Sequence, residues 1–162
     1  MPVTDAITDL EALSLTFVTE HDAPVDRVWQ LWADPRQLER WWGPPEWPAT
    51  FTRHDFVPGG WSNYYMTGPN GEKAPGWWIA KSVEAPTRFE FRDGFEGPDG
   101  RPDPTMPTIE ATVTLDDLGD GRTRMVITSV FPNADAFVQM REMGMEEGMQ
   151  SALGQIEALL AG

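Results

Sequence analysis

Residues 108–131 read TIEATVTLDDLGDGRTRMVITSVF: two runs rich in β-branched residues on either side of Gly119-Asp120-Gly121. Glycine and aspartate are the residues a tight hairpin turn demands, so this stretch dictates two adjacent antiparallel strands. The same kind of element recurs upstream. PATFTRHDF (48–56) and WSNYYMT (61–67) flank Pro58-Gly59-Gly60, GPNGEKAP (68–75) makes a second turn, and WWIAKSVEA (77–85) and RFEFRD (88–93) are separated by Pro86-Thr87. Near the start, LSLTFVTEH (13–21) alternates Leu13, Leu15 and Phe17 with Ser14 and Thr16, a strand pattern.

Helices precede and follow this run of strands. In DAPVDRVWQLWADP (22–35), Val25, Val28, Trp29 and Trp32 recur at helical spacing, and Pro24 suits a first helical turn. Asp34-Pro35 ends that helix and can start a second, through Leu38 to Trp42, which Gly43-Pro44-Pro45 stops. Asn133 is a candidate cap for a long C-terminal helix over 133–162, whose apolar positions include Val138, Met145, Met149, Ala152 and Ile156. Gly144 and Gly148 interrupt it at about 1 kcal/mol each relative to alanine, which points to close approach to the sheet or to a kink over a cavity. The segment 94–107, with four prolines and three glycines, reads as a loop beside the entrance to such a cavity, either a lid or a simple connection. This order predicts an α+β protein: two short helices after the first strand, then a curved antiparallel sheet wrapped around a C-terminal helix.

Composition narrows the chemistry. The 162 residues carry a net charge of −14, a field that repels phosphate backbones and anionic membranes and so argues against nucleic-acid and membrane partners. There is no cysteine, which excludes disulfides and thiolate chemistry and fits a cytoplasmic location. The beginning, MPVTDAITDLEAL, lacks a signal-peptide pattern. Eight each of tryptophan, phenylalanine and methionine supply either a well-filled core or a core with a cavity.

Six segments stand in a telling order: Ala23-Pro24-Val25-Asp26-Arg27-Val28-Trp29, Leu38-Glu39-Arg40-Trp41-Trp42-Gly43-Pro44, Asp55-Phe56-Val57-Pro58-Gly59-Gly60-Trp61, Val83 to Phe89, Gly121 to Met125, and Glu147-Gly148-Met149 onward. Together they resemble the AHSA family, the bacterial homologues of the activator of the heat-shock ATPase chaperone, within the START-like (SRPBCC) superfamily. Met149 departs from the family's usual tryptophan. The resemblance implies a helix-grip fold with a cavity under the long helix. It sets 13–162 as a single START-like AHSA domain and 1–12 as an N-terminal extension. The superfamily hosts binders, cyclases, hydroxylase domains and co-chaperones, so fold alone does not name the activity.

No catalytic or metal-binding constellation stands out. His54-Asp55 is the one acid–base pair of note, but adjacent strand residues point to opposite faces unless a bulge intervenes. His21 and His54 are the only histidines and lack ligand spacing, so no metal or cofactor is expected. The expected function is binding of a small apolar or aromatic molecule between the sheet and the C-terminal helix. The candidate cavity residues are Trp42, Trp47, Phe51, His54, Trp61, Tyr65, Trp78, Phe89, Phe91, Met125, Met145 and Met149. The alternatives are a co-chaperone-like module with a protein partner (a chaperone or a second copy of the chain), or a cyclase- or hydrolase-like enzyme using inward polar residues such as His54 or Tyr65.

Overall fold

The computed structural model describes residues 3–161. Eight strands form one antiparallel sheet: β1 (Val3–Asp9), β2 (Ser14–His21), β3 (Ala49–His54), β4 (Trp61–Thr67), β5 (Lys73–Glu84), β6 (Arg88–Phe95), β7 (Ile109–Gly119) and β8 (Arg122–Val130). Their spatial order is β1-β2-β8-β7-β6-β5-β4-β3. The β7–β8 hairpin forms as its turn residues require: Gly119 pairs with Arg122, and Asp120 and Gly121 take φ of 55° and 73°, the two positive values of a type I′ turn.

The N-terminal extension supplies an edge strand of the sheet. β1 pairs with β2 from Val3 opposite Thr19 to Asp9 opposite Ser14. The turn between them is held by the Asp9 carboxylate, which accepts from the backbone N–H of Glu11 and Ala12. An edge strand needs no apolar face of its own, and residues 5–9 are exposed, so the hydrophobic pattern that marks the other strands is missing.

α1 (Val25–Ala33) follows Pro24, its N-cap residue, and buries Val28, Trp29, Leu31 and Trp32. Asp34 then caps α2 (Pro35–Leu38) by accepting from the Arg36 N–H. α2 is a single turn. The sequence reading extends it to Trp42, but residues 39–42 run on as turns, with the Trp41 and Trp42 N–H groups both donating to the Leu38 carbonyl. The C-terminal segment is not one continuous helix: it runs as α3 (Ala134–Glu142), α4 (Met145–Leu153) and α5 (Ile156–Ala161). Asn133 caps α3 through the Ala136 N–H. The break after α3 falls at Gly144, whose φ of +87° is left-handed backbone that costs other residues roughly 1–2 kcal/mol.

The inner face of the sheet and α1 share one core, centred on Trp32. Its ring centroid lies 4.7 Å from Trp41 and 4.9 Å from Phe89, both near edge-to-face, the arrangement that aromatic quadrupoles favour. Its indole N–H meets the Met125 sulfur at 3.2 Å. Phe17, Phe89, Val113, Leu115, Met125 and Ile127 complete the layer. Burying each such side chain contributes roughly 1.5–3 kcal/mol.

Candidate ligand cavity

The C-terminal helices do not cover the sheet evenly. From Ala152 onward they are tied down. Gln155 Nε2 donates to the Gly43 carbonyl at 2.7 Å, His21 Nδ1 donates to Glu157 at 2.7 Å, and an Arg27 N–H donates to the Leu159 carbonyl. Ahead of that anchor, the α3–α4 junction spans β4 to β7 and leaves a cavity of about 420 Å³ beneath it. The floor is Tyr64 and Met66 of β4, Ala74 of β5, Asp93 to Phe95 of β6 and Ile109 of β7; the roof is Met140, Met143, Gly144, Met145, Gly148 and Met149; and Trp42, Pro44 and Trp47 form one wall. Methionine is flexible and polarizable, so a roof of four of them can repack around different shapes.

The tryptophan-rich stretch 40–47 divides its labour. Trp41 is fully buried and its indole N–H donates to the Leu31 carbonyl at 2.9 Å, so it packs the corner. Trp42 and Trp47 line the cavity, as do Met145 and Met149 among the sequence candidates. The other eight lie elsewhere. Phe51, Trp78, Phe89, Phe91 and Met125 are buried in the aromatic core. The sheet's alternation places Trp61 and Tyr65 on the outer face, where Trp61 packs on Trp77 and Lys73 covers the Tyr65 ring. The sequence shows which positions are aromatic, but not which part of the sheet α1 fills and which part stays open.

His54 also lies outside the cavity, and Asp55 is not its partner. Its Nε2–H donates to the Trp32 carbonyl at 2.8 Å, and Nδ1 meets the Ser62 hydroxyl at 2.7 Å. The Asp55 carboxylate instead accepts from Arg53, so the pair forms no catalytic dyad. Burial holds the His54 pKa below its ordinary value, which favours the neutral ring, and the Trp32 carbonyl fixes its proton on Nε2. Residues 96–107 are not a lid over this cavity. They fold back on themselves through the Glu96–Pro102 bridge and line none of it, whereas Gly94 and Phe95, the first residues of the expected loop, belong to β6.

One polar cluster interrupts the apolar lining. The Tyr64 hydroxyl donates to Asp93 Oδ1 at 3.2 Å. Burial pushes the Asp93 carboxyl up to about 7, against the opposing pull of Tyr64 and of the Gly94 N–H. Burial and the Asp93 charge together drive the Tyr64 phenol well above its ordinary value, while the neighbouring Trp42 pulls it the other way. The Trp42 indole N–H nonetheless meets no acceptor in hydrogen-bonding geometry among the described residues. Gly76 makes the arrangement possible: it lies opposite Tyr64, and a Cβ there would fall 2.5 Å from the phenol oxygen. Neither Asp93 nor Gly76 carries a local motif, and only β4–β5–β6 pairing brings them together with Tyr64. Among the described residues no group of histidine and carboxylate side chains could hold a metal ion, and no helix is long and apolar enough to cross a membrane.

The family model described as "Activator of Hsp90 ATPase homolog 1-like protein" matches residues 22–161. The chain belongs to this family. Solved structures of similar chains agree with the Activator of Hsp90 ATPase homolog 1-like assignment. A solution NMR structure of a protein from Arthrobacter aurescens is 53% identical, covering 98% of this chain and 92% of that one, with a TM-score of 0.94. A crystal structure of a protein from Mycobacterium smegmatis is 46% identical, covering 98% and 97%, with a TM-score of 0.89. A Staphylococcus epidermidis protein at 27% identity, covering 99% and 94%, reaches 0.80. Among curated proteins no match was found. The antiparallel sheet with its C-terminal helices is the helix-grip, START-like architecture of this family.

Proposed function

We propose that this protein binds a small apolar or aromatic molecule between β4–β7 and the α3–α4 junction. The observation that carries the reading is the cavity itself: about 420 Å³, within the range of small-molecule sites, apolar almost throughout and with one convergent polar cluster. A merely structural gap would be expected to collapse or fill, because interiors pack to crystal-like density. The methionine roof and the breaks at Gly144 suit entry and adaptation to a ligand. The polar residues favour binding over turnover: Asp93 and Tyr64 bond to each other, and His54 is committed to the core.

The test uses N-phenyl-1-naphthylamine, a neutral apolar dye that brightens out of water. It is expected to bind the wild-type protein and to be lost in Met149→Trp, which fills the cavity from the roof, while the thermal transition is kept. Equal dye binding by Met149→Trp would place the dye elsewhere and overturn the reading. Native mass spectrometry of the purified protein then reports any bound mass that denaturation releases.

A further inference from the structure

The cavity holds a carboxylate and no cation. Asp93 shares the lining with Trp42, Trp47, Tyr64 and Phe95, and none of the chain's twelve lysines and arginines lines the space. The basic groups near this end are engaged outside it: Lys73 covers Tyr65 on the outer face, Arg141 covers Phe137, and Arg92 is bound to Glu110. Buried charges are normally paired. Here the geometry leaves that counter-charge to be supplied from the cavity, where among the described residues only the Tyr64 hydroxyl is a side-chain partner of the Asp93 carboxylate.

Resting on the proposed cavity function, we infer that the ligand is an organic cation: a protonated amine on an apolar or aromatic body, its ammonium donating to Asp93 and its body packed against the methionine roof. Three observations agree. Aromatic rings that line the same cavity as an acid are surroundings in which cations bind by ring quadrupole as well as by charge. The chain's net charge of −14 attracts cations to its surface and repels anions. Asp93 and Tyr64 are the titratable side chains lining the space: the roof residues from α3 and α4 are methionines and glycines, β7 contributes Ile109, and β5 contributes Ala74. Among the described residues no cationic side chain therefore competes for the carboxylate. Burial of that carboxylate, which raises its pKa to about 7, makes amine binding release about half a proton at neutral pH.

The experiment compares three probes of nearly one shape by calorimetry at pH 8: 1-naphthylmethylamine, 1-naphthalenemethanol and 1-naphthoate. The amine is expected to bind at least about tenfold more tightly than the alcohol, and the acid most weakly, as a desolvated ion pair demands. In Asp93→Asn the amine should fall to the level of the alcohol, while the alcohol's affinity is kept. At pH 7, repeating the amine titration in buffers of different ionisation enthalpy should show proton release that the variant lacks. An alcohol that matches the amine, or an amine preference that survives Asp93→Asn, overturns the inference and leaves the cavity reading standing. Binding of none of the three probes overturns both.

Discussion

Asp93→Asn should make this protein more stable, and increasingly so as pH rises. The carboxyl titrates near 3.8 in an unfolded chain and at about 7 in the fold, chiefly because burial disfavours its charge. Between those values the unfolded chain has released the proton and the folded chain still holds it, so stability falls with rising pH and levels off above about 7. At about 1.36 kcal/mol per pH unit, the full cost is roughly 4 kcal/mol, of which roughly 3 appears between pH 5 and pH 8. Water reaching Asp93 through the cavity makes this a ceiling. Asparagine keeps an oxygen to accept from Tyr64 and has no charge to desolvate. Urea denaturation of both proteins at pH 5, 6, 7 and 8 measures the difference directly. Surface carboxylates such as Glu110, held low chiefly by its hydrogen bond from Arg92, contribute equally to both and cancel. The stability gain of the variant should grow by about 2–3 kcal/mol over this range. A gain that stays constant to within about 0.5 kcal/mol would mean that Asp93 is ionised and solvated throughout, and the reasoning from burial would fail.

Three further outcomes follow from the packing. His54 should appear by NMR as the neutral ring protonated at Nε2, with a pKa below 6.5; because the unfolded chain takes up the proton first, its share of stability is lost as pH falls below 6.5, and His54→Ala should leave N-phenyl-1-naphthylamine binding within about threefold. Phe89→Ala, which removes a ring packed on Trp29, Trp32 and Phe56, should cost about 3–5 kcal/mol in urea denaturation. Gly76→Ala places a methyl against the Tyr64 phenol and should cost about 1–3 kcal/mol in urea denaturation.

Much of the architecture was legible because it rests on short-range chemistry. Asp34-Pro35 and Asn133 cap helices where they stand in the sequence, Asp120-Gly121 closes the last hairpin, and the alternation of Phe89 and Phe91 with charged residues places both rings on the inner face. β1 was less legible, since an exposed edge strand carries no apolar rhythm. The break between α3 and α4 turns on Gly144 adopting a left-handed conformation, and the break between α4 and α5 falls at Gly154, in right-handed backbone.

The cavity was only partly legible. Trp42, Trp47, Met145 and Met149 announce themselves as large side chains near a chain corner and on a helix face. Trp78, Phe89 and Phe91 announce themselves equally, yet Trp32 of α1 packs on all three and turns them into core, with Phe51 against Trp78. Tyr64 and Asp93 are separated by 29 positions and meet across two strand pairings. Local sequence determines which residues are rigid, apolar or turn-forming, because propensity and periodicity act within a few residues. Tertiary structure alone decides where helices stop covering the sheet and which carboxylate is left in the gap, because burial and its electrostatic cost depend on every element that packs around a site.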